Sequence, residues 1–129
     1  MRLLLDTQAL ILLVGQPVGL PAIAQAAIED PANEVLLSLA TPWEMQIKIN
    51  LGKLTLGKPL SQFVQLELDR GTFSLLPITL AHIDELSRLP SHHRDPFDRL
   101  LVAQAIHESL TLVTSDHQIR FYPVPTLWD

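Results

Sequence analysis

Short apolar runs alternate with helix-forming segments along this chain, and that alternation constrains the fold more than any other feature. Leu3-Leu4-Leu5 reads as a buried strand, and Glu34–Ser38, Phe73–Leu76 and Thr111–Thr114 follow as further strands, with a fifth near Val124–Leu127. Between them, Ala9–Val14 is a helical stretch that stops near Gly15 and Pro17. A second helix opens at Pro21, where a first-turn proline is well placed, and ends around Glu29-Asp30-Pro31. Thr41-Pro42-Trp43-Glu44 has the form of a capped helix start, with an acid three residues after the cap, and Gly52 closes that helix. Ser61–Arg70 is helical up to Gly71, Thr79 caps a short helix carrying Ile83 and Leu86, and Asp95-Pro96 opens a helix that runs through Ser109. Strands separated by helices predict an α/β fold: a three-layer α/β/α arrangement around a mainly parallel central sheet. The 129 residues suit one domain, 1–129, with no internal repeat or linker.

Composition narrows the function. Hydrophobic residues make up 47% of the chain, too many for a disordered protein. The absence of cysteine excludes disulfides, thiolate zinc sites and a cysteine nucleophile, and fits a reducing cytoplasm. The N-terminal apolar stretch after Arg2 resembles a signal peptide, but Asp6, Thr7 and Gln8 interrupt it. The uninterrupted run Ala9–Val14 is far too short to span a membrane, so no membrane association is expected. The net charge of −5 disfavours non-specific nucleic-acid binding, which draws on many Lys and Arg contacts to phosphate. It weighs less if some acids hold cations: two divalent ions would bring −5 to −1.

Four of the fourteen acids share a distinctive placement. Asp6 follows the first strand and Asp116 the fourth, Glu44 lies in the first turn of the helix after the second strand, and Asp98 lies in the first turn of the helix before the fourth. In a parallel sheet the C-terminal strand ends form the edge where ligands bind. Asp98 reaches that edge if its helix runs antiparallel to the strands, as crossover helices do. Each acid also has a plain structural reading. Asp6 can cap the helix after it, and Glu44 fits a capping box with Thr41 or a pair with Lys48. Asp98 can complement a helix dipole, and Asp116 can serve a turn. Asp98 resists its plain reading best, because it shares a helical stripe with Leu101, Val102 and Ala105. A carboxylate facing a core needs a cation or hydrogen bonds. Carboxylate oxygens without thiolates suit hard ions such as Mg²⁺ or Mn²⁺, and two such ions would support in-line hydrolysis of a phosphodiester.

Several segments resemble the PIN-domain family, in its VapC toxin branch. Leu4-Leu5-Asp6-Thr7 is similar to the opening motif, and Trp43-Glu44-Met45-Gln46-Ile47-Lys48 lies within a stretch like the second. His93-Arg94-Asp95-Pro96-Phe97-Asp98-Arg99 is the most specific match, and Leu112-Val113-Thr114-Ser115-Asp116 resembles the last motif. The resemblance implies a Mg²⁺- or Mn²⁺-dependent endoribonuclease, a dimeric toxin silenced by a VapB-type antitoxin whose tail covers the site. It carries the catalytic and metal-ligating roles to Asp6, Glu44, Asp98 and Asp116, and a ligand- or water-holding role to Thr114. Asp95 reads as the cap of the Pro96 helix rather than as a site residue. Gln8 stands where this branch often has histidine, and RNA contacts fall to residues such as Lys48, Lys53, Arg94 and Arg99.

His92 and His93 are adjacent, so their side chains diverge, and they read as solvated loop residues rather than zinc ligands. His117 reads as a surface residue, and Trp43 and Phe97 as core packing. No phosphate-cradling glycine loop is present. An aspartyl-phosphate phosphotransfer domain is a rival, but Asp6-Thr7-Gln8 lacks the second aspartate of the Asp-x-Asp such enzymes use. The other rival is a non-catalytic binding module whose acids serve structure alone.

Overall fold

A computed structural model describes residues 1–15 and 19–129. Strands β1 (Arg2–Leu5), β2 (Glu34–Ser38), β3 (Ser74–Leu76), β4 (Thr111–Val113) and β5 (Thr126–Leu127) pair in the order β3-β2-β1-β4-β5. Every pairing is parallel, so the expected sheet is parallel throughout. The helices are α1 (Thr7–Val14), α2 (Ala22–Glu29), α3 (Ala40–Asn50), α4 (Leu60–Asp69), α5 (Leu80–Leu86) and α6 (Pro96–Glu108), with a 3₁₀ turn at Ile119–Phe121. Gly15 follows α1 as expected; Pro17 lies outside the described residues.

Strand alternation divides the core in two. Leu3, Leu5, Leu37 and Val113 point to the face covered by α1–α4, where they meet Leu10, Met45, Phe63 and Val64. Leu4, Leu36 and Leu112 point to the other face and meet Leu101, Val102 and Ala105 of α6, with Ile119 and Tyr122. Buried on both faces, β1 reads as continuous leucine: Leu3, Leu4 and Leu5 are all fully buried. Helix α5 packs on α6 instead of on the sheet. Among the described residues no helix is long and apolar enough to cross a membrane.

The topology locates a crevice. From β1 the chain winds through β2 to β3 over the α1–α4 face, then crosses back to β4 by way of α5 and α6 on the opposite face. Right-handed crossovers require this change of face when the winding direction reverses. The reversal falls between β1 and β4, so the connections leaving these neighbouring strands diverge and open a gap at their C-terminal ends.

Two local expectations change. Helix α3 begins at Ala40, one residue before the proposed cap Thr41, whose buried hydroxyl has no hydrogen-bond partner among the described residues. Ser38 Oγ accepts the Ala40 N–H instead, at 3.1 Å, because the buried end of β2 aims that hydroxyl at the first turn. Trp43 is not core: 60% of it is exposed, and it meets Phe97 edge-to-face with ring centroids 5.0 Å apart.

Candidate active site

Asp6 and Thr114 stand directly after β1 and β4, in a register that pairs Leu5 with Val113, and the Asp6 N–H donates to the Val113 carbonyl at 3.1 Å. Asp6 is therefore held at the crevice by the sheet itself. One of its carboxyl oxygens caps α1, accepting the Ala9 N–H at 2.7 Å, and the Thr114 hydroxyl also bonds to it. Thr114, buried, also accepts the Asp116 N–H at 3.0 Å and so fixes the turn that carries the last acid. Glu44, on the first turns of α3, accepts from the Thr7 hydroxyl with one oxygen and lies 3.7 Å from Lys48 Nζ with the other.

Helix α6 brings the fourth acid. Asp95 is its cap, as its sequence position indicated: Oδ1 accepts the Phe97 N–H at 2.8 Å and the Asp98 N–H at 3.3 Å. Asp98 then projects from the stripe shared with the buried Leu101, Val102 and Ala105. Asp6, Glu44, Asp98 and Asp116 all line one cleft of about 300 Å³, together with Thr7, Gln8, Lys48, Asp95 and Ser115. All four acids singled out in the sequence thus reach the same cleft, with Thr114 supporting two of them from behind.

Several plain structural roles hold as well, though not the capping box of Glu44 with Thr41, which lies inside α3. Asp6 is a cap, Asp116 Oδ1 accepts the Gln118 N–H at 2.8 Å, and Glu44 pairs with Lys48. A carboxylate has two oxygens and about four acceptor positions, so a local bond does not exhaust it.

His93 is the residue that sequence reasoning misplaced. It is not solvated: its side chain is 12% exposed, and Nε2 lies 2.7 Å from Asp116 Oδ2 and 3.2 Å from Asp98 Oδ2. Tertiary contacts pull it inward, since its backbone N–H donates to the Tyr122 hydroxyl at 2.9 Å and its Nδ1 accepts the Asp95 N–H at 3.0 Å. Its place at the head of the segment leading to Asp98 was the available signal. Thr7, next to Asp6, was also overlooked. Arg99, expected to face RNA, is held by the Pro90 carbonyl and the Tyr122 hydroxyl, whereas Arg94 and His117 are exposed.

The electrostatics are those of crowded acids. Burial raises the Asp6 carboxyl; the Thr114 and Ala9 hydrogen bonds oppose this, and the charges of Asp116 and Glu44 add to it. Asp98 is pushed up to about 7, first by burial and then by Asp95, Glu44 and Asp6, with His93 opposing. Burial also disfavours charge on Asp116, but hydrogen bonds from His93, Gln118 and Ile119 outweigh it and bring this carboxyl below its ordinary value.

A family model described as the PIN domain matches residues 3–124. The chain belongs to the PIN-domain family. PIN domains are in general nucleases that use divalent metals, and an acidic cluster is present in this one. No curated protein sequence matches the chain. Among solved structures, this PIN domain is similar to VapBC2 from Rickettsia felis bound to a promoter DNA fragment, with a TM-score of 0.75, 18% identity and 100% of both chains covered. It also resembles VapBC-1 from nontypeable Haemophilus influenzae, with a TM-score of 0.69, 18% identity and 98% of this chain and 97% of that one covered. FitAcB from Neisseria gonorrhoeae follows, with a TM-score of 0.61, 21% identity and coverage of 97% and 96%. At these identities the likeness establishes the fold.

The donor chemistry of the cleft fits a hard divalent cation. The four acids offer only oxygen, and two of them are raised by burial and by neighbouring carboxylates that a cation would neutralise.

Proposed function

We propose that this PIN domain is the toxin of a VapBC-type toxin–antitoxin pair, an endoribonuclease that hydrolyses RNA phosphodiesters with Mg²⁺ or Mn²⁺. The observation that carries this reading is the convergence of Asp6, Glu44, Asp98 and Asp116 on one cleft at the C-terminal ends of β1 and β4. These four side chains would hold the metal, which when bound lowers the pKa of a water and neutralises phosphate charge.

The chain's own groups prepare the cleft. Thr114 orients Asp6 through its hydroxyl and Asp116 through the backbone, and Thr7 orients Glu44. Lys48, 40% exposed beside Glu44, is placed to meet a phosphate oxygen as a point charge. Asp98 shares its negative field with three other acids, so RNA approaches this cleft only when cations offset that field.

The same field suits an antitoxin of the VapB kind. Concentrated carboxylates in a chain of net charge −5 favour a partner whose arginine forks into the cleft and takes the place of the metal. The structural neighbours named VapBC support such a partner; a homodimer and a cytoplasmic location belong to the same reading. The deciding experiment is RNA cleavage by purified protein with Mg²⁺, with Mn²⁺ and with excess EDTA. Cleavage is expected with either metal and not with EDTA. Undiminished cleavage in EDTA refutes the mechanism.

A further inference from the structure

One ring nitrogen of His93, one oxygen of Asp98 and one of Asp116 lie within 4.8 Å of one another, close enough to hold a metal ion together. Such a trio resembles a metal triad, yet the hydrogen bonds give the ring a different part. Nδ1 accepts the Asp95 N–H at 3.0 Å, so its lone pair is engaged and it carries no proton. In a neutral imidazole the proton must then sit on Nε2, the nitrogen facing both carboxylates. Neither nitrogen in this arrangement has a free lone pair for a metal. Asp95 is itself fixed as the cap of α6, and the Tyr122 hydroxyl that takes the His93 backbone N–H is braced by Arg99 at 3.2 Å. Cap, loop and 3₁₀ turn together therefore determine the tautomer.

We propose that His93 is a positioning residue for the metal site: its Nε2–H donates to Asp116 Oδ2 and lies 3.2 Å from Asp98 Oδ2, holds the two oxygens convergent, and leaves the ring itself outside the coordination sphere. This rests on the metal-dependent reading of the cleft. Without that donor, two facing carboxylate oxygens repel. Asp116 sits on a loop with 31% of its side chain exposed and is the freer to turn outward, whereas Asp98, 22% exposed, is carried on the packed helix α6. Loss of His93 thus splays Asp116 out of the cleft. Outer groups that orient ligating side chains typically change metal affinity by about 10–100-fold.

The test uses the full chain and Mn²⁺ as the probe. Calorimetric titration compares wild type, His93→Ala and His93→Gln, with thermal unfolding in EDTA to establish folding. Nitrogen-15 NMR of the imidazole follows the tautomer in EDTA and at saturating Mg²⁺. We expect His93→Ala to bind Mn²⁺ about 10–100-fold more weakly, and His93→Gln, whose amide restores a donor, to recover part of the loss. The wild-type ring should keep its Nε2 proton in both conditions. Wild-type Mn²⁺ affinity in His93→Ala, or loss of the Nε2 proton on Mg²⁺ saturation, overturns the proposal. If His93→Ala does not fold, the wild-type tautomer at saturating Mg²⁺ decides by the same rule. A wild type that binds Mn²⁺ in a His93-dependent way but cuts no RNA supports the positioning role and fails the nuclease reading. An active nuclease whose Mn²⁺ affinity ignores His93 fails the positioning role alone. A wild type that binds no divalent ion refutes both.

Discussion

Replacing Asp98 by Asn should stabilise the metal-free protein while abolishing cleavage. The folded-state carboxyl sits at about 7 against an ordinary 3.8. The folded protein therefore holds this proton more tightly than the unfolded chain does. Between those values the wild type loses stability as pH rises, and above 7 the cost is present in full. The interval of about three pH units, at ~1.4 kcal/mol each, sets a ceiling near 4 kcal/mol. With 22% of the side chain exposed, water screens much of this, leaving about 1–3 kcal/mol. Asparagine forfeits the helix-dipole benefit of a first-turn acid, worth about 0.3–1 kcal/mol. The net gain at pH 8 in EDTA is about 1–2 kcal/mol, which for a domain of this size raises Tm by roughly 3–8 °C. At pH 5 only about a third of that interval has been crossed, so the gain should fall well below its pH 8 value, and it vanishes near 3.8, where the unfolded chain is protonated as well. Thermal unfolding of both proteins at the two pH values in EDTA, beside one RNA cleavage assay, reads all of this. A variant less stable than wild type at pH 8, or one equally stabilised at both pH values, refutes the electrostatic reasoning. One that still cuts at the wild-type rate removes Asp98 from the site.

Three further outcomes are expected. Mg²⁺ at 100 times its Kd should stabilise the wild type by about 2.7 kcal/mol, and Asp98→Asn by clearly less, as read from thermal unfolding across a Mg²⁺ titration. Thr7→Val removes the hydroxyl that holds Glu44, so it should cost about 1 kcal/mol by denaturant titration and slow cleavage at low Mg²⁺. Ser109→Gly should stabilise the protein by about 0.5–1 kcal/mol in the same titration. Ser109 ends α6 with φ at 56°, a left-handed conformation that glycine adopts without strain.

Much of the architecture was legible in the chain because it depends on short-range patterning. Three successive leucines mark a strand buried on both faces; Asp95-Pro96 marks a helix start; Thr79 caps α5 as its position suggested. Asp98 on an apolar stripe announced an inward-facing charge, and strand-end positions announced Asp6 and Asp116. Where the sequence misled, the deciding contacts came from elsewhere in the chain. Thr41 has every local attribute of a cap, but β2 delivers Ser38 to the α3 start first. Trp43 looks like core by composition, yet at its helix position it faces out against Phe97. His93 looks like a loop residue until Tyr122, 29 positions away, and Asp116, 23 positions away, bring it inward. Periodicity and capping act over a few residues, so they fix which elements form and set Asp98 on an inward stripe, but they do not mark the buried Glu67. That four acids share one cleft, with a histidine between two of them, follows from contacts between distant parts of the chain. Side-chain convergence depends on strand order and on the crossover reversal between β1 and β4, which no local pattern encodes.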